Sequence, residues 1–117
     1  MRWFGRRRGR AAGVAREATM DRSSAKAERK HLEEFVSSRQ GVEGFVEPRT
    51  TVTETTLMLV ALDGEWTRRR VPSPQWAHEF ANGLGVPSYD AAVVGYPQRM
   101  RDYNRRQSEQ RKADGAS

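Results

Sequence analysis

The stretch that decides the fold is Thr56-Leu57-Met58-Leu59-Val60-Ala61-Leu62-Asp63-Gly64-Glu65-Trp66-Thr67-Arg68-Arg69-Arg70-Val71. Two strand-like runs flank Asp63-Gly64, a pair that favours a two-residue type I′ hairpin turn. That turn sets a register in which Leu62 faces Glu65, Ala61 faces Trp66, Leu59 faces Arg68 and Leu57 faces Arg70. One face then carries Leu57, Leu59, Ala61, Trp66, Arg68 and Arg70. The other carries Met58, Val60, Leu62, Thr67, Arg69 and Val71. The first run is apolar on both faces, which predicts a central strand. The second is polar and charged, which predicts an edge.

Outward from the hairpin, residues 23–40 read as a helix. Ser23 or Ser24 can cap its start, and Leu32, Phe35 and Val36 recur at helical spacing. Gly41 suits its end. Val42 to Glu47 is short and extended, with Phe45 and Val46 as its apolar content, and Pro48 stops it. Arg49 to Thr55 suits an edge strand or a loop leading into one. Ser73-Pro74 opens a second helix, with Ser as N-cap and Pro at the first helical position. Trp76, Phe80 and Leu84 form its stripe. Asp90 to Gly95, centred on Ala92-Val93-Val94, reads as a short strand. From Pro97 the chain predicts a third, basic helix. The expected core unites Leu59, Val60, Trp76, Phe80, Phe35 and Val93.

The reading is therefore an α+β fold: a small, mostly antiparallel sheet of about four strands with helices packed on one face. Residues 1–22 read as a basic disordered arm, 23–96 as the α+β domain, and 97–117 as a basic, partly helical tail. A domain of roughly 75 residues folds with a thin margin.

Composition narrows the chemistry. The absence of cysteine excludes disulfides, thiolate metal sites and cysteine nucleophiles, and fits a cytoplasmic setting. The bases are 18 Arg and 3 Lys, a bias that resembles a GC-rich genome. The net charge of +6 is unevenly placed. Residues 1–16 carry +6, residues 17–97 carry −3 and residues 98–112 carry +4. Basic ends on a mildly acidic domain suggest tails that reach for a polyanion. No stretch approaches the roughly 20 apolar residues of a bilayer span, and no signal-peptide pattern is present.

No catalytic, cofactor or metal site is legible. His31 and His78 lie on different helices with no partner at ligand spacing, and read as surface or rim histidines. No Gly-x-Ser-x-Gly or Walker A pattern occurs. Gly83-Leu84-Gly85 follows a helix where a nucleotide loop would follow a strand, and reads as a helix stop. Trp66, Arg68 and Arg70 share a strand face. They read either as a stacking platform with guanidinium arms for single-stranded nucleic acid, or as Trp66 covering the sheet under Arg stems; the second is favoured. The arm has three readings: a solvated tail, a polyanion contact, and a weak membrane-surface contact through Trp3 and Phe4.

The segments FVEPRTTVTETTLMLVALDGEWTRRRVP (45–72) and GVPSYDAAVVGYPQRMRDYNRR (85–106) together resemble small uncharacterised proteins of actinobacteria. That resemblance spans roughly residues 31–106. It implies a bacterial cytosolic location and carries no activity or site.

The leading expectation is a non-enzymatic accessory protein that contacts nucleic acid, or the ribosome, through its basic ends. Arg6, Arg7, Arg8, Arg10, Arg99, Arg101, Arg105 and Arg106 would supply phosphate contacts, with Trp66, Arg68 and Arg70 as the sheet candidates. The alternative is a protein-interaction module using the sheet face or the C-terminal helix, and the third is a small cytosolic enzyme without a recognisable motif. No cofactor is expected.

Overall fold

The computed structural model describes residues 22–116. In chain order these form α1 (Arg22–Ser38), β1 (Glu43–Glu47), β2 (Thr56–Val60), β3 (Trp66–Arg70), α2 (Pro74–Gly83), β4 (Ser88–Asp90), α3 (Ala91–Val94) and α4 (Gln98–Ala116). The sheet order is β3-β2-β1-β4, antiparallel except for the parallel pairing of β1 with β4. The α+β class and the mostly antiparallel sheet are as expected. β2 is internal and β3 lies at an edge, following their apolar and charged compositions.

Each element has a local cause. Gly41, with φ of 61°, lets the chain leave α1 in the left-handed region. Ser73 caps α2 by accepting a hydrogen bond from the Trp76 amide at 3.1 Å, and Pro74 supplies the first turn. The segment expected as a strand over 90–95 divides instead. Only Ser88–Asp90 pairs with β1, and Asp90 accepts from the Ala92 amide at 2.9 Å, starting the four-residue helix α3. An Asp at that position is an N-cap, and it ends the strand.

The hairpin differs from a two-residue turn. Ala61 N–H donates to the Glu65 carbonyl at 2.8 Å, Gly64 N–H donates to Ala61 at 2.9 Å, and Leu62-Asp63-Gly64 form a three-residue loop. Gly64 has φ of 94°, as a turn followed by a glycine bulge requires. The pairs are Val60–Trp66, Met58–Arg68 and Thr56–Arg70. The register is thus shifted by one residue from that of a type I′ turn, which moves all of β3 to the opposite face relative to β2.

The core has two sides. α1 and α2 cover Val46, Leu57, Leu59 and Ala61, with Leu32, Phe35, Ala77, Ala81 and Val86 among the buried partners. Trp76 and Phe80 stack on each other with ring centroids 4.9 Å apart, at the margin of this core. The other face holds Phe45, Met58 and Val60, capped by Ala91 of α3 and Met100 of α4, with Trp66 beside them. Leu59 and Val60 are both enclosed, on opposite faces. Val93 is not in the core: it is 79% exposed, because α3 turns it to solvent.

Candidate functional site

α4 is fastened to the sheet through its first turns. Met100 is buried. Arg99 extends beneath the hairpin: its Nε donates to the Ala61 carbonyl at 3.0 Å and its Nη2 to Glu43 Oε1 at 2.6 Å. Arg106 donates to the Asp63 carbonyl at 2.9 Å. Trp66 Nε1 donates to Asn104 Oδ1 at 2.7 Å. Beyond these anchors the helix is polar all round and has no apolar stripe to bury.

The anchors sort the arginines. On a 3.6-residue period Arg101, Arg105 and Lys112 share the face of α4 turned away from the hairpin, and all three are exposed. Arg101 takes only a contact with Gln98 at 3.2 Å, and Arg105 a surface pair with Asp102 at 3.2 Å. Such exposed pairs contribute little and open readily to a competing anion.

The β3 candidates differ among themselves. Arg68 forms a two-pronged pair with Glu47, 2.7 Å from Oε1 and 3.0 Å from Oε2, and its guanidinium lies 5.2 Å from the Trp66 ring. Thr56 and Tyr96 also donate to that carboxylate, at 2.7 and 2.5 Å. Burial pushes the Glu47 carboxyl up, but the bonds from Arg68, Tyr96 and Thr56 outweigh it and hold the group below its ordinary range. Trp66 is half-covered between Arg68 and Asn104. Arg70, at the end of β3, is exposed. Of the sequence candidates, Arg101 and Arg105 share one open surface. Arg68 and Arg99 are engaged by Glu47 and Glu43 within the fold, and Arg106 stays exposed on the hairpin side of α4. Arg6, Arg7, Arg8 and Arg10, with Trp3 and Phe4, lie outside the described residues.

Lys112 belongs to the same surface, although its position in the sequence alone does not point to it. Its signal is the helical spacing from Arg101 and Arg105, which becomes readable once α4 is one continuous helix.

The histidines form polar links. His31 Nδ1 lies 3.3 Å from Arg69 Nη2, and its Nε2 lies 2.7 Å from Thr67 Oγ1. A guanidinium can only donate, so Nδ1 accepts and Nε2 carries the proton. In that tautomer His31 donates to Thr67 and cannot accept the hydroxyl proton. Burial, then the Arg69 charge, holds the imidazole below its ordinary value. His78 Nδ1 lies 2.6 Å from Ser88 Oγ, which also receives Asn82 Nδ2 at 3.3 Å. Among the described residues no group of three His, Cys, Asp or Glu side chains could hold a metal ion, and no helix is long and apolar enough to cross a membrane.

No protein-family model matches the chain, and neither a curated protein nor a solved structure is detectably similar to it.

Proposed function

We propose that this chain is a non-enzymatic accessory protein that binds nucleic acid or another polyanion through its basic ends, with the outer face of α4 as one contact surface. The observation that supports this is the division of cations on α4. Arg99 is consumed in holding the helix to the hairpin, and Arg106 leans to the same side through one exposed bond to the Asp63 carbonyl. Arg101, Arg105 and Lys112 face solvent along one line. At about 1.5 Å per residue they span roughly 16 Å, and a rigid row of cations of that length matches a phosphate backbone without reading bases. A cytoplasmic site of action is part of the proposal.

The test is binding of the full chain to labelled duplex DNA and single-stranded RNA over a salt series, followed by fluorescence anisotropy. Replacing Arg101, Arg105 and Lys112 together with Gln is expected to flatten the log–log salt slope on duplex DNA by about 2 to 3, at about 0.9 per phosphate contact. Absence of binding at low salt, or an unchanged slope in the triple variant, overturns the proposal.

A second reading, a protein-interaction module, is favoured by one feature. A cleft of about 610 Å³ lies between the ends of α1 and α2 and the hairpin tip, with Leu62 and Leu84 exposed along it. Under that reading a stoichiometric protein partner survives high salt, and its binding is lost on Leu62→Asp.

A further inference from the structure

β1 turns Glu43, Phe45 and Glu47 to the same face, at every second residue. Phe45 is only 4% exposed. It lies at the base of an open hollow of about 240 Å³ walled by Glu43, Tyr89, Val94, Tyr96 and Pro97. The two tyrosines are held in matching ways. Tyr89 donates its hydroxyl to Glu43 Oε2 at 3.1 Å, and Tyr96 donates to Glu47 Oε2 at 2.5 Å. An arginine also pairs with each carboxylate: Arg99 with Glu43 at 2.6 Å and Arg68 with Glu47 at 2.7 Å. Two Glu–Tyr–Arg groups therefore flank one phenylalanine. Tyr89 and Tyr96 nevertheless remain 36% and 38% exposed, so their fixed rings still meet solvent. The Phe45 and Tyr89 centroids are 5.6 Å apart with planes inclined at 39°, which makes a corner and not a flat stack.

We propose that this hollow binds a small organic cation of the methylated-ammonium class. Aromatic faces attract cations through the ring quadrupole, most usefully those that shed water readily. A phenol hydrogen-bonded to a carboxylate has a more electron-rich ring, and both tyrosines are so bonded. The one formally charged residue in the lining is Glu43, itself paired with Arg99, and neither Arg68 nor Arg99 lines the hollow, so the attraction rests on the aromatic rings. The Glu43 oxygens already receive Arg99 and Tyr89, one each. A metal cation, which needs carboxylate oxygens to replace its water, gains little there. Size agrees: the hollow is below the roughly 300 Å³ of drug-sized sites, and holds the volume of roughly eight waters at about 30 Å³ each. The site is separate from the outer face of α4 and does not depend on the polyanion reading.

The experiment is a titration of the full chain with tetramethylammonium chloride, followed by amide shifts in two-dimensional NMR. Potassium chloride at equal ionic strength and tert-butanol, a neutral molecule of similar shape, serve as comparisons. Saturable shifts confined to residues 89–97 and to β1 are expected with tetramethylammonium alone. Tyr96→Ala is expected to weaken binding by roughly five- to thirtyfold, the worth of one ring face. Val94→Lys places a like charge at an exposed rim position. It leaves the melting temperature unchanged and abolishes binding, which keeps the test decisive if the tyrosine variant unfolds. Equal response to potassium or tert-butanol overturns the proposal, as does undiminished binding in Val94→Lys. Choline and phosphatidylcholine vesicles then separate the sources. Saturation by choline without vesicle binding identifies a free solute. Vesicle co-sedimentation lost in Val94→Lys identifies a lipid headgroup.

Discussion

Gly64 sits directly beneath the backbone carbonyl of Arg99, so the first turn of α4 rests on the hairpin tip at a point where no side chain can exist. A β-carbon on residue 64 would collide with the Arg99 carbonyl oxygen and come within 2.7 Å of its carbon and 2.9 Å of Tyr103 Cβ. The obstacle is helix backbone, which cannot rotate away. Gly64→Ala is therefore expected to destabilise the fold by about 2 kcal/mol or more, combining positive-φ strain with lost docking. Urea unfolding would show this, and proteolysis would cut α4 faster. Gly83→Ala is the control: nothing lies within 4 Å of the added carbon, and the change should be neutral or stabilising by up to about 1 kcal/mol.

The core makes a graded prediction. Leu57 is fully enclosed beneath α1 and α2, so Leu57→Ala should cost about 2–5 kcal/mol. Phe80, stacked on Trp76 at the margin, should cost less than Leu57. Val93→Ala should remain within about 0.5 kcal/mol of the parent, as exposed positions do. Chemical denaturation of the three variants gives the order, and an equal loss at Val93 would contradict the placement of α3.

Acidification should loosen the contact between α1 and β3. His31 is held neutral by burial and by Arg69, so its folded pKa lies below the ordinary 6.5. The unfolded chain then binds the proton more readily. The contribution to stability is complete above about pH 6.5 and is lost as pH falls towards the lowered folded value. The urea midpoint should drop between pH 7.5 and 5.5, and His31→Gln should flatten that step. Glu47 acts in the same direction at lower pH, because its carboxyl also lies below its ordinary range.

Arg68 and the outer face of α4 should respond oppositely. Arg68 is 40% exposed and Glu47 18%. Screening limits their pair, and Arg68→Ala should cost on the order of 1 kcal/mol in stability. It should leave the salt dependence of DNA binding unchanged. The Arg101, Arg105 and Lys112 substitutions should change the salt dependence and leave the melting temperature in place.

Much of the fold was legible because local chemistry determined it. Ser73-Pro74 marked the start of α2, Gly41 the exit from α1, and the composition of the two hairpin strands their internal and edge positions. The register was not legible, because Asp63-Gly64 suits both a two-residue turn and a three-residue turn with a glycine bulge. What separates them is the Ala61–Glu65 pairing and the seating of Arg99 on Gly64, a contact far away in sequence. Ala92-Val93-Val94 resembled a strand because three apolar residues in a row suit strand and helix alike. The cap at Asp90 was the overlooked sign. The basic ends were visible as charge, but which arginines stay available was not. Arg68 finds Glu47 and Arg99 finds Glu43 only after the sheet and α4 are assembled. The alternation of Glu43, Phe45 and Glu47 was readable, yet it pointed to nothing until Tyr89 and Tyr96 arrived from the other end of the domain.

The parallel pairing of Gly44 with Ser88 has a consequence for the order of assembly. β1, β2 and β3 are successive antiparallel neighbours and can zip together as soon as they are made, since short loops close at little entropic cost. The far side of β1 then stays open until a strand of only three residues has left the ribosome, long after its partner. An unpaired, mostly apolar edge is a template for another chain. Nascent chains stalled before residue 88 should therefore aggregate more readily than chains that have released β4.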